Sequence, residues 1–153
     1  MKVKLFVAIL VLVFFSACKI DDGIDCALVD CATDQIFSIE FKDAEGTNLI
    51  TNETYKLEDI EITSGDRQLE LVPLDTTKLV TFIISRNIGE TSYTIKLNSS
   101  ETDTLVLDTK QQQNTNFNQC CPPLLFIEKA IYNENQKEIV KMDNGFEKII
   151  VVK

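Results

Sequence analysis

The sequence predicts an all-β fold, an antiparallel β-sandwich of Ig-like or transthyretin-like topology behind a cleaved leader. Three observations carry this. Short runs rich in β-branched and aromatic residues alternate apolar and polar with period two. Gly46, Gly65, Gly89 and Gly145 all fall between those runs, where turns need a left-handed backbone. No segment of the body sustains a long 3.6-residue period.

Residues 35–42 alternate, with Phe37, Ile39 and Phe41 on one face. Residues 54–62 set Ile60 and Ile62 together, and residues 67–74 alternate through Leu69 and Leu71. Residues 78–85 (KLVTFIIS) are denser in apolar side chains, as a central strand buried on both faces would be. Residues 91–98 align Tyr93, Ile95 and Leu97, and residues 102–109 follow as the next strand. Residues 110–119 are a polar, low-complexity loop, and Pro122 and Pro123 delay the next element. Residues 124–132 read as a strand, with a short helix as the alternative. Asn144-Gly145 is a two-residue hairpin signal that predicts pairing of residues 137–142 with residues 146–152.

The first 17 residues are not part of this fold. Lys2 and Lys4 make a positive start, and residues 5–15 (LFVAILVLVFF) form an uncharged apolar run. Ser16, Ala17 and Cys18 follow, which completes the layout of a secretory signal. A spanning helix needs about 20 apolar residues, and Lys19, Asp21 and Asp22 stop this run short. An ordinary cut after Ala17 wants a small residue at position 15, where Phe15 is bulky. The chain thus divides into a leader (1–17), an acidic, cysteine-bearing tether (18–34) and one domain (35–153).

The ending Phe15-Ser16-Ala17-Cys18 resembles a bacterial lipobox, with Phe15 where Leu is usual. The resemblance implies that Cys18 is lipidated and becomes the new N-terminus, carrying a thioether-linked diacylglycerol and an N-acyl chain. Each buried CH₂ contributes about 0.8 kcal/mol, so two or three chains anchor stably where one does not. Lys19-Ile20-Asp21-Asp22 resembles the short charged signal with which Bacteroidota send lipoproteins to the outer face of the outer membrane. The same residues also read as a solvated acidic tether. The whole is similar to small secreted lipoproteins of Bacteroidota, which carry a Cys in the tether, a phrase like residues 91–107 (TSYTIKLNSSETDTLVL) and a late Cys-Cys pair. Pro122 stands after the pair where that family commonly has Gly. The resemblance implies an outer-membrane lipoprotein and no characterised activity.

Charge and cysteine usage fit that location. Losing Lys2 and Lys4 takes the 15 basic residues to 13 against 24 acidic ones, net −11. Such a chain repels nucleic acid and anionic lipid surfaces. Four cysteines remain beyond Cys18: Cys26, Cys31, Cys120 and Cys121. In an oxidising compartment an even count reads as two disulfides. A Cys120–Cys121 ring would be strained, and adjacent residues on an extended chain point to opposite sides. Both are therefore expected to reach back to Cys26 and Cys31, in an order the sequence leaves open. The first bridge would close a loop of about 90 residues and contribute up to roughly 4.5 kcal/mol.

Chemistry-bearing patterns are sparse. The chain has no His, which excludes Ser-His-Asp and Cys-His catalysis and His-ligated metals. Asp59 and Glu61 are the best carboxylate pair, since a single strand would project both from one face at the spacing of a retaining glycosidase. Glu58 then falls on the opposite face, and no Trp offers a sugar platform. The pair reads better as the solvated face of an amphipathic strand. Asp21, Asp22, Asp25, Asp30 and Asp34 could gather Ca²⁺, but lack the EF-hand spacing and read as a solvated linker. Asp75-Thr76-Thr77 and Asp103-Thr104-Leu105 resemble the Bacteroidota O-glycosylation sequon, which makes Thr76 and Thr104 candidate sites, with Thr76 favoured because it falls in a turn. Asn52 and Asn98 match the N-glycan pattern but read as turn residues. The expectation is a non-catalytic binding or structural module with no cofactor and no resident metal. Its partners would be the membrane, through the lipid, and an envelope protein or a glycan.

Overall fold

A computed structural model describes residues 35–73, 78–111 and 125–153. The leader, the tether, Cys18, Cys26, Cys31, Thr76, Cys120 and Cys121 lie outside the described residues. Among the described residues the chain is all-β, with ten strands in two sheets. In chain order these are β1 (Ile36–Lys42), β2 (Glu61–Ser64), β3 (Arg67–Leu69), β4 (Val80–Ile83) and β5 (Gly89–Lys96). Then come β6 (Thr102–Gln111), β7 (Leu125–Tyr132), β8 (Asn135–Lys137), β9 (Val140–Lys141) and β10 (Glu147–Val152). One sheet runs β4-β1-β10-β9 and the other β3-β2-β5-β6-β7-β8.

The two sheets pack face to face as a β-sandwich because each strand turns one apolar row inward. Phe37, Ile39 and Phe41 on β1 are fully buried, as are Ile149 on β10, Ile95 on β5, and Leu105 and Leu107 on β6. Aromatic rings bridge the layers, where Phe82 meets Tyr93 at 5.5 Å and Phe41 meets Tyr132 at 6.2 Å, and Phe82 also meets Phe37 within its own sheet at 6.0 Å, all edge to face.

Five expectations need correction. Residues 54–62 do not form one strand. A 3₁₀ turn (Leu57–Asp59) interrupts them, and β2 starts only at Glu61. The connection from β1 instead folds inward and buries Leu49, Ile50 and Tyr55 across one end of the sandwich. Burial of those three side chains outweighs the local alternation. The expected strand over residues 67–74 is confined to Arg67–Leu69, after which Leu71 makes a single bridge to Phe82 on β4. The chain changes sheets at that point. β4 is not a central strand. It lies at the border of its sheet, and its Val80, Thr81 and Phe82 are buried on both faces all the same.

The sandwich is also not wholly antiparallel: β1 and β10 run parallel, from Phe37 opposite Glu147 to Lys42 opposite Val152. The last correction concerns the closing hairpin. Val140 and Lys141 pair with Lys148 and Glu147, as expected in kind. The loop has three residues rather than two, with Met142 N donating to Phe146 O at 2.8 Å and Gly145 at φ 83°. Of the two structures considered for residues 124–132, the strand is the one found. Asn52 and Asn98 do sit in turns: each side-chain oxygen accepts the backbone N–H two residues on, at 3.0 and 2.9 Å.

Candidate functional site

The densest polar cluster of the described residues closes the same end of the sandwich. Inward alternation along β6 puts Asp103 in line with Leu105 and Leu107, so a carboxylate lands on the core face and is 4% exposed. Three donors meet it. Tyr132 donates to Oδ2 at 2.6 Å, Asn133 Nδ2 donates to Oδ1 at 2.5 Å, and Lys153 Nζ donates to Oδ2. Lys153 also reaches Glu101 at 2.7 Å, and Glu101 accepts from Tyr55 at 2.9 Å. The backbone N–H of Lys153 donates to Lys42 O at 2.9 Å. The cluster therefore joins β6 and β7 of one sheet to the ends of β1 and β10 of the other.

Burial alone would raise the Asp103 carboxyl, but the hydrogen bonds from Lys153, Tyr132 and Asn133 outweigh it and hold its pKa below the ordinary value. Burial pulls Lys153 down, and its bonds to Asp103 and Glu101 raise it further than that. Burial, then the neighbouring carboxylates, push both Tyr55 and Tyr132 up. The result is a fixed charge pattern. A general base works best with a pKa near the operating pH, and Asp103 is displaced away from it with its lone pairs occupied. The arrangement suits a latch between sheets rather than a reaction centre.

Elsewhere, the described residues line two further grooves. The first, of about 490 Å³, separates β7 and β8 from β9 and β10 and is lined by Phe126, Ile127, Ile139, Lys137 and Lys141, among others. Ile127 N donates to Glu147 Oε2 at 3.2 Å on its wall. The second, of about 730 Å³, opens between β3 and the end of β4. Both of the chain's arginines, Arg67 and Arg86, line it.

The carboxylate pair read from the sequence is not brought together on one strand. Asp59 ends the 3₁₀ turn, and Glu61 on β2 is exposed and paired with Lys96 at 3.0 Å. Thr104 lies within β6, exposed, with its backbone N–H donating to Asn133 at 2.8 Å. The acidic residue of its motif is the buried Asp103. The Asp103 cluster was missed by sequence reasoning, although its signal was visible: an acid standing in the apolar register of residues 103, 105 and 107. No group of three or more potential metal ligands occurs among the described residues, and no described helix is long and apolar enough to cross a membrane. Comparison with protein families, with curated proteins and with solved structures finds no match.

Proposed function

We propose that this chain is a lipid-anchored lipoprotein of the outer membrane whose β-sandwich acts as a non-catalytic binding or structural module. The run from Lys2 to Cys18 carries the reading, because a short apolar segment ending in a cysteine suits acylation rather than spanning. Residues 18–34, the acidic stretch between the proposed anchor and β1, would reach at most about 58 Å as an extended tether. The two grooves among the described residues offer binding surfaces. Replacement Cys18→Ala tests the anchor. The protein should move from the membrane fraction to a soluble one and lose incorporation of labelled palmitate. A variant that stays in the membrane fraction unlabelled would remove the anchor from the reading.

A second reading, an accessory subunit of an envelope uptake or secretion complex, draws on the outward face of the four-stranded sheet. There Ile83, Ile150 and Val152 are exposed at 39%, 36% and 60%. Crosslinking in intact cells separates the two. A stoichiometric membrane partner lost in Val152→Asp favours the subunit, and its absence favours the free-standing module. A small carboxylate-dependent hydrolase built on Asp59 and Glu61 has less support, since the two stand on different elements.

A further inference from the structure

We propose that the cleft between β3 and the end of β4 binds an oxyanion, a carboxylate or phosphate group carried on a small ligand. The cleft has a topological cause. Leu71 bridges Phe82 in antiparallel sense, and Val72 N donates to Thr81 O at 2.7 Å. Continuing that register would set Leu69 opposite Ile84 and Arg67 opposite Arg86. Instead Leu69 and Arg67 pair with Ile62 and Ser64 in one sheet, while Ile84 N donates to Gln35 O in the other. The two segments part, and the space between them is about 730 Å³, within the usual range for a small-molecule site.

Its lining has two characters. Leu69, Ile83 and Tyr93 supply apolar surface, and Tyr93 is nearly fully buried. The Tyr93 hydroxyl accepts the N–H of Ser85 at 3.1 Å, which fixes the segment that carries Arg86. Arg67 and Arg86 supply positive charge, and Glu70 is the one carboxylate among the described lining residues. Two arginines thus line one cleft in a chain with 24 acidic and 15 basic residues, and they are its only arginines. A planar guanidinium matches carboxylate and phosphate in bidentate fashion, which an ammonium cannot do. Apolar surface beside the guanidiniums lowers the local dielectric and strengthens such bonds. Arg67 is exposed and forms no ion pair among the described residues.

This inference deepens the binding-module reading and is independent of the anchor, which the Cys18→Ala fractionation tests separately. The experiment is equilibrium dialysis of the full chain in detergent with labelled inorganic phosphate, with galacturonate and with neutral galactose. Saturable retention of at least one anion, with galactose excluded, is expected. Arg67→Gln should weaken it about tenfold or more at an unchanged thermal midpoint, Arg67→Lys should fall between, and the remote Lys56→Gln should match the parent. Phosphate retained alone points to a phosphorylated ligand, and galacturonate alone to an acidic sugar. Retention of neither anion, equal retention of galactose, or full binding by Arg67→Gln overturns the proposal.

Discussion

Asp103 shows how one inward acid changes the stability of a β-sandwich. Its charge is buried, so its partners decide whether it helps. Removing one partner of a buried pair typically costs about 3–5 kcal/mol, whereas replacing both by apolar groups of similar size is often neutral. Asp103→Leu should therefore destabilise the domain by about 3 kcal/mol, and Asp103→Leu with Lys153→Met should recover part of that loss, as read by urea unfolding. The sign with pH follows from the lowered pKa. The contribution of Asp103 is complete above its unfolded value, about 3.9, and is lost as pH falls through the lower folded value. Lys153 is raised, so its contribution is complete below about 10.4 and fades as pH rises through the higher folded value. The gap between parent and Asp103→Leu should be widest between these limits and should close in strong acid. A gap as wide at pH 2 as at pH 7 would mean the carboxylate charge is not what stabilises this end.

At the scale of elements, periodicity located what local chemistry controls. The faces of β1, β5 and β6 follow from alternation, and all their inward residues among 37, 39, 41, 93, 95, 105 and 107 are buried. Alternation failed over residues 54–60 because Tyr55 is drawn inward with Leu49 and Ile50, a tertiary effect with no period of its own. It also gave no sign that β1 and β10 pair, since that contact joins residues about a hundred positions apart. One hairpin was missed for a local reason. Tyr132 faces Asn135 across Asn133 and Glu134, at φ 45° and 67°. Two left-handed residues are the mark of a type I′ turn, which favours Asn followed by Gly. Asn133 fits this, and Glu134 disguises it. The Glu side chain bears a left-handed cost of about 1–2 kcal/mol that Gly avoids, against a smaller entropic loss. Glu134→Gly should raise stability by about 0.5–1 kcal/mol in thermal melts. A loss of stability would show that the Glu134 side chain contributes more than its backbone costs.

For the whole molecule, the question is how the body would be held relative to the proposed anchor. Gln35 Nε2 donates to Leu125 O at 3.4 Å, so the described starts of β1 and β7 lie side by side. Cys31 precedes Gln35 by four residues, and Cys121 precedes Leu125 by four. Four residues reach at most about 14 Å, enough for chains leaving neighbouring points to meet. This reach is compatible with the expected staples from Cys26 and Cys31 to Cys120 and Cys121. Such staples would have a mechanical consequence. An unbridged tether of residues 18–34 reaches about 58 Å, whereas a chain held from Cys26 onward leaves residues 18–25, about 27 Å. The body would then work close to the membrane, and reduction would release it to roughly twice that distance. Non-reducing peptide mapping of the mature protein should find tether peptides linked to the peptide containing Cys120 and Cys121. An isolated Cys26–Cys31 loop would refute the pairing and the short reach together. With the pairing in place, protease cleavage between residues 18 and 25 should free the body from membranes, and cleavage between Cys31 and Gln35 should free it only after reductant is added.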